Sequence, residues 1–215
     1  MIDVIYEDSD ILVINKPPGL VVDPSDTVKE QTLADILQNK FGIKLFRGGI
    51  VHRLDKDTSG VILVAKTRSA LENLQSQFKE RKIQKEYMAL VHGNIAETGT
   101  VVGKIGRNPG NREKFTVLAG GKVAVTEYEP VEKLQWAHTE SGEEGRLQSI
   151  FADFNKIQMR KLQRQYGFFT LLLCKPKTGR THQIRVHLKY INSPIVSDEK
   201  YVGRKMYRND KRWCP

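Results

Sequence analysis

The sequence predicts an α+β fold, with a mixed and largely antiparallel sheet and flanking helices. Strand-like segments outnumber helical ones, and the two kinds alternate irregularly rather than in strict βαβ order. The chain is also long enough to bury a hydrophobic core, because it has 215 residues and 39% of them are hydrophobic. We therefore expect one domain over residues 1–215.

The elements of the first third of the chain follow from apolar spacing. Val- and Ile-rich segments predict strands at 4–6 and 11–15, and the prolines of residues 16–19 end the second strand. Apolar residues at helical spacing predict a helix over 31–41. The continuous apolar run at 61–65 predicts a strand covered on both faces.

The middle of the chain carries one further helix and several strands. Ser69 and Glu72 have the spacing of a capping box, so we expect a helix to begin at Ser69. Residues 85–92 predict a strand that ends in a turn at Gly93. The glycines distributed through residues 100–131 predict hairpins.

The last third of the chain contains an irregular segment and a basic helix. Residues 134–166 begin acidic and become basic, which predicts an insertion between two strands. A helix is expected over 180–191. Residues 175–215 hold 11 Lys and Arg but only 3 Asp and Glu, so most of the net charge lies there.

The charge balance indicates the class of partner. The net charge is +10, with an isoelectric point near 9.6, so a polyanion is the first partner to test and an anionic membrane surface the second. No apolar run is long enough to span a bilayer and the N-terminus does not resemble a signal peptide, so we expect a cytoplasmic location. Cys174 and Cys214 lie far apart, which predicts two free thiols and no metal site.

The densest cluster of charged residues runs from 48 to 60, immediately before the apolar run. Asp55 lies at the edge of the predicted core, where a carboxylate can act as nucleophile or general base. A partly dehydrated carboxylate stays ionised only beside a cation. The alternative is that Asp55 and Asp57 cap a turn and pair with Arg53 or Lys56, and composition alone favours it.

Two further clusters are candidates for nucleic-acid contacts. Residues 175–188 place Arg180, His182 and Arg185 near a helix start, where anions bind, although a solvated basic face has the same composition. Tyr87, in the predicted strand at 85–92, is either a core tyrosine or a stacking surface for a base.

Taken together, these clusters resemble the RluA family of RNA pseudouridine synthases. The match rests on four motifs in the family's order, at residues 16–19, 52–60, 85–87 and 178–188. They have the sequences KPPG, HRLDKDTSG, KEY and TGRTHQIRVHL. The resemblance covers residues 3–131 and 168–203.

The resemblance implies a fold, a reaction and a set of roles. The fold would be the pseudouridine synthase domain with a central RNA-binding cleft. The protein would isomerise uridine in transfer or ribosomal RNA after flipping the base out of its stack. The catalytic residues would be Asp55, Tyr87 and Arg185. Asp55 would attack the target uridine, Tyr87 would stack on the base and take part in proton removal, and Arg185 would pair with Asp55 and hold it ionised. Arg53 would fill the place of the flipped nucleotide. The other expected RNA contacts are His52, Lys16, Lys85, Arg180, His182 and Gln183.

The chain departs from the family pattern in two places, and two other functions stay open. Residues 134–166 are longer than the usual hairpin, and the chain stops at Pro215, so we expect a truncated catalytic domain without the small RNA-binding domain of some relatives. The alternatives are a non-catalytic RNA-binding or chaperone protein and a generic basic surface protein. We expect no metal, no organic cofactor, no membrane association and a monomer.

Overall fold

The computed structural model describes residues 2–24, 30–135, 167–211 and 214. The chain divides into two compact units, Met1–Ile83 and Gln84–Pro215. The expectation of a single catalytic domain stays a prediction. No helix among the described residues is both long and apolar enough to cross a membrane.

The first unit contains a three-stranded antiparallel sheet in the order β1-β2-β3. The strands are β1 (Asp3–Glu7), β2 (Ile11–Lys16) and β3 (Gly60–Ala65). The helices are α1 (Leu33–Phe41) and α2 (Arg68–Lys79), with a 3₁₀ turn at Phe46–Gly49. The two N-terminal strands and the helix over 31–41 are thereby confirmed.

Alternation along β2 and β3 builds the core of this unit. Leu12 and Ile14 lie opposite Val64 and Ile62 in the register, and all four side chains are fully buried. The prediction that β3 is covered on both faces is wrong at Val61, which is 57% exposed. A continuous apolar run does not report which face is covered, because periodicity is lost when every residue is apolar.

Caps set the beginning of both helices. Thr32 and Asp35 form a reciprocal capping box at α1, and Gly42 ends that helix in the left-handed region at φ 65°. Helix α2 begins at Arg68, and its N-cap is Thr67, whose hydroxyl accepts from the Ala70 N–H. The predicted start at Ser69 is therefore wrong, because a second hydroxyl residue two positions earlier takes the capping role.

The second unit contains a five-stranded antiparallel sheet in the order β4-β8-β7-β5-β6. The strands are β4 (Tyr87–His92), β5 (Gly99–Asn108), β6 (Asn111–Val117), β7 (Lys122–Gln135) and β8 (Phe168–Pro176). The helices are α3 (Gln183–Tyr190) and α4 (Arg204–Asp210). Of the predicted hairpins, β5–β6 is confirmed, whereas β7 pairs with β5 and β8 rather than with β6. The α+β class holds, with every strand pair of the described residues antiparallel.

Helix α3 packs on this sheet and is shorter than predicted. Val186 and Leu188 lie on its buried face, against side chains of β4, β5, β7 and β8. The helix begins at Gln183 rather than 180, because His182 takes a left-handed conformation at φ 53°. Of the predicted insertion over 134–166, the first two residues extend β7 and the rest lies outside the described residues.

Candidate active site

The loop that carries Asp55 is anchored by a buried lysine. The Lys16 side chain is fully buried, and its Nζ donates to the backbone carbonyls of Pro17, Leu20 and Lys56, each at 2.9 Å. The Gly19 N–H donates to the same Lys56 carbonyl at 2.9 Å. The end of β2 is therefore joined to the segment immediately after Asp55.

Burial has an electrostatic consequence for this lysine. Desolvation lowers the pKa of Lys16, and the nearby carboxylates of Asp57 and Asp55 oppose that shift. All three N–H donors of the ammonium are engaged, which satisfies a charge that would otherwise be costly to bury. This use of the ammonium favours a positioning role over the RNA contact predicted for Lys16.

Asp55 itself lies at the boundary between core and solvent. The preceding Leu54 is buried, Asp55 is half-buried, and Asp57 is exposed. The Thr58 N–H donates to the Asp55 carbonyl oxygen at 3.1 Å and closes a turn. The sequence motif therefore presents a carboxylate on a tight loop whose backbone is fixed on both sides.

His52 and Arg53 differ in how far the fold uses them. The Leu63 N–H donates to His52 Nε2 at 3.0 Å, and the imidazole stacks on the Phe78 ring of α2 with centroids 4.9 Å apart. The Arg53 side chain is 65% exposed, and its Nη1 lies 3.8 Å from Asp23 Oδ2. The guanidinium of Arg53 is therefore accessible to a ligand, whereas the His52 ring is part of the packing between β3 and α2.

In the second unit, Tyr87 begins β4 opposite Cys174 of β8. Its ring is half-buried and packs against the core cluster that includes Ala89 and Leu172. Lys85, just before the strand, is also half-buried, and its Nζ lies 3.6 Å from where a Cβ on Gly179 would stand. The third and fourth sequence motifs therefore adjoin within this unit.

A buried network of neutral side chains fixes the loop before α3. Gln183 is 5% exposed, and its Oε1 accepts from the Thr178 hydroxyl at 2.6 Å and from the Arg180 N–H at 3.0 Å. Its Nε2 donates to Val125 O and to Thr126 Oγ1, both at 2.9 Å. The amide is used at both ends, which favours a positioning role for Gln183 over the predicted RNA contact.

His187 lies at the inner end of the same network. It is fully buried, with Nδ1 at 2.9 Å from Thr126 Oγ1 and with no hydrogen-bond partner at Nε2. Burial lowers the pKa of His187 to about 4, so the ring is neutral at physiological pH.

Arg185 is held by an aspartate that the sequence analysis did not single out. Its Nε donates to Asp198 Oδ2 at 2.8 Å and its Nη2 to Asp198 Oδ1 at 2.9 Å. The guanidinium also lies over the Tyr201 ring, 5.1 Å from the centroid. His182 contacts the same tyrosine, with Nδ1 2.8 Å from the hydroxyl. The only sequence signal was an acidic pair, Asp198 and Glu199, inside a strongly basic tail.

The two cysteines and Arg180 are the remaining residues that the sequence singled out. Both thiols are free, as predicted, and burial raises the pKa of the Cys174 thiol to about 12, which makes it unreactive. Arg180 donates from Nε to the Val123 carbonyl at 3.0 Å. In residues 2–24, 30–135, 167–211 and 214, no group of His, Cys, Asp and Glu side chains is arranged to hold a metal ion.

Comparison with known proteins agrees with the motifs. A family model described as RNA pseudouridylate synthase matches residues 10–190. An uncharacterized RNA pseudouridine synthase, YlyB of Bacillus subtilis, is 39% identical over 210 residues, covering 95% of this chain and 59% of the relative. Ribosomal large subunit pseudouridine synthase D of Borreliella burgdorferi is 41% identical over 209 residues, covering 93% of this chain and 54% of the relative.

A solved structure gives the same result for the fold. Human RNA pseudouridylate synthase domain containing 1 is similar with a TM-score of 0.72 and 26% identity, covering 98% of this chain and 73% of that one. The chain spans between about half and three fifths of the length of the two curated relatives.

Proposed function

Because the chain belongs to the RNA pseudouridylate synthase family, we propose that it isomerises uridines in structured RNA to pseudouridine, with Asp55 as the catalytic aspartate. The reaction breaks the N1–C1′ bond of the uridine and forms a C5–C1′ bond. The C5 proton leaves and N1 regains a proton, so the product is an isomer and no redox partner is needed.

The observation that carries this proposal is the fixed presentation of Asp55. A surface carboxylate that only caps a turn needs no dedicated anchor, whereas a nucleophile gains from a rigid support. The Lys16 ammonium supplies that support by binding the carbonyl of Lys56, next to Asp55. This anchor favours the enzyme over the two non-catalytic alternatives.

The supporting roles follow the resemblance and the contacts within each unit. We propose that Tyr87 stacks on the target base, that Arg185 keeps Asp55 ionised, and that Arg53 occupies the place of the flipped nucleotide. Asp198 acts as a positioning residue, since it binds two nitrogens of Arg185 and sets the direction of the remaining N–H groups.

The substrate is proposed to be large-subunit ribosomal RNA, with transfer RNA as the competing substrate. The name of the Borreliella relative supports the ribosomal choice. Arg53, Lys85, Arg180 and His182 are proposed to contact RNA, and recognition is proposed to rest on shape and flipped bases, as is common for RNA. We propose a cytoplasmic, monomeric enzyme.

The test is tritium release from RNA labelled at uridine C5, with large-subunit ribosomal RNA and transfer RNA assayed separately. We expect release by the parent chain and none by Asp55→Ala, whose RNA affinity stays within a few-fold of the parent. The matched control is Asp57→Ala, which removes an exposed carboxylate from the same loop and should keep most of the turnover. Equal activity of the two variants would contradict the assignment of Asp55.

A further inference from the structure

Phe46 is the most exposed large hydrophobic side chain of the described residues. It is 76% exposed and begins the 3₁₀ turn Phe46–Gly49. A single exposed apolar side chain is ordinary. The backbone conformation next to Phe46 and the charged residues near it are unusual.

The turn under Phe46 is strained and tightly packed. Arg47, Gly48 and Gly49 have φ angles of 53°, 62° and 77°, so three consecutive residues lie in the left-handed region. A Cβ on Gly49 would collide with the Ala65 carbonyl oxygen at the end of β3. A non-glycine residue keeps such a conformation only where its surroundings enforce it, and such positions concentrate at ligand sites. The turn therefore fixes the backbone that follows Phe46.

A bidentate ion pair ties this turn to the segment that carries Asp55. Arg47 donates from Nε to Asp23 Oδ1 at 2.7 Å, and its Nη2 pairs with Oδ2 of the same carboxylate. Asp23 Oδ2 also lies 3.8 Å from Nη1 of Arg53, two residues before Asp55. All of these residues belong to the first unit.

The segments that Asp23 joins beside Phe46 carry three cations, Lys44, Arg47 and Arg53, against the one carboxylate of Asp23. Lys44 is exposed, the Arg47 side chain is 36% exposed, and the Arg53 side chain is 65% exposed. An exposed aromatic ring among cations is the combination that binds unpaired nucleotides, because the ring stacks on a base and the cations bind phosphates. An apolar protein partner would instead require a core depleted of charge.

We propose that Phe46 is a stacking platform for an unpaired RNA base close to the target uridine, held in place by Arg47 and Asp23. This inference rests on the proposed function, because it takes RNA as the ligand. It adds an RNA-binding residue outside the four sequence motifs. It also gives the strained turn a role, which is to position Phe46 for stacking.

The test measures RNA affinity in the Asp55→Ala background, so that turnover does not contribute. The probe is a fluorescein-labelled RNA stem-loop with an unpaired uridine-containing loop, followed by fluorescence anisotropy. Phe46→Ala should raise Kd about 5- to 150-fold, the range expected for losing one base–aromatic stack. Phe46→Trp should bind as tightly as the parent, whereas Phe46→Leu should be as weak as Phe46→Ala.

Salt dependence and a matched aromatic residue separate stacking from other effects. The slope of log Kd against log salt should not change in Phe46→Ala, because no charge is removed. Tyr6→Ala is the control: Tyr6 is 51% exposed on β1 in the same unit, but its hydroxyl donates to Asp8 at 2.9 Å. This variant should keep the parent Kd, and melting temperatures should show that every variant is folded.

Two results would overturn the inference. Phe46→Ala could bind as tightly as the parent, or Phe46→Leu could restore affinity, which would replace stacking by simple apolar contact. Failure of the proposed function looks different: the parent chain would then release no tritium from RNA labelled at uridine C5, or the Asp55→Ala protein would bind no RNA even with Phe46 intact. If that protein binds RNA and the Phe46 variants bind equally well, only the platform is wrong.

Discussion

The two segments that carry the strongest sequence motifs are fixed in opposite ways. In the Asp55 segment, residues 52–60, the loop that follows Asp55 is held through its backbone by one buried cation, Lys16, while His52 before it packs through its ring. The segment 178–187 is held through its side chains by a neutral network centred on Gln183. A backbone anchor leaves the side chains of the loop available for chemistry, whereas a side-chain network uses them for structure.

The two devices also differ in electrostatic cost. Burying the Lys16 ammonium is unfavourable, as its lowered pKa indicates, and three carbonyl acceptors offset that cost. The Gln183 network buries no charge, but each member depends on the others, and a partly satisfied network is worse than an apolar core. The backbone anchor should be lost when the Lys16 ammonium is removed. The Gln183 network should be destabilised when any one of its side chains is changed.

The largest effect is expected from Lys16→Met, which keeps most of the length of the side chain and removes its three N–H donors. The carbonyls of Pro17, Leu20 and Lys56 would lose a charged donor inside the protein. We expect the free energy of unfolding to fall by about 2–4 kcal/mol. Urea denaturation followed by circular dichroism measures it, and a loss below 1 kcal/mol would show that the anchor is dispensable.

Gln183→Ala should be nearly as damaging in the second unit. The substitution leaves the Thr178 hydroxyl and the Val125 carbonyl without their buried partner. We expect a loss of about 2–3 kcal/mol in the free energy of unfolding. Thr181→Ala, two positions earlier and exposed, is the control and should change it by less than about 0.5 kcal/mol. Equal losses in the two variants would contradict a network centred on Gln183.

The third expected effect depends on pH and belongs to the neutral network alone. The pKa of His187 is lowered from 6.5 to about 4, so the unfolded chain binds a proton first as pH falls. This contribution to stability is complete above pH 6.5 and is lost as pH falls toward 4. Between pH 7 and 4.5 the parent should lose about 2 kcal/mol more than His187→Gln, which has no titratable group there.

Urea denaturation of the parent and His187→Gln across this pH range tests the prediction, because the carboxylates common to both proteins cancel in the difference. Parallel pH profiles would show that His187 is not kept neutral by the fold. The Asp55 segment should not share this acid sensitivity, since the group that anchors it is a lysine.

The sequence predicted those parts of the molecule that depend on local pattern. The strands around Ile14 and Leu90 and the helix at Leu37 followed from apolar spacing, and the motif at 52–60 predicted Asp55 as the catalytic aspartate. The start of α2 was missed because Thr67 and Ser69 are equally suitable N-cap residue types, and only the hydrogen bond from the Ala70 N–H to the Thr67 hydroxyl distinguishes them.

The remaining features depend on contacts between distant residues. Lys16 meets the Lys56 carbonyl across 40 positions, and the Gln183 amide meets Thr126 across 57, so spacing in the motifs cannot show either contact. Both residues were predicted as RNA contacts because they lie in motifs that carry the family resemblance. Their burial is a tertiary property, as is the ion pair of Arg185 with Asp198.

The smallest effect, and the sharpest division between backbone and side chain, is expected at Lys56. Its carbonyl accepts from Lys16, whereas its side chain is 50% exposed and pairs only loosely with Glu30, at 3.3 Å. An exposed pair of this kind adds little stability, so Lys56→Gln should change the free energy of unfolding by less than about 0.5 kcal/mol. Urea denaturation of Lys56→Gln and Lys16→Met, measured side by side, separates the acceptor residue of this contact from its donor. A fall of more than 1 kcal/mol in the free energy of unfolding of Lys56→Gln would mean that the Lys56 side chain is structural as well.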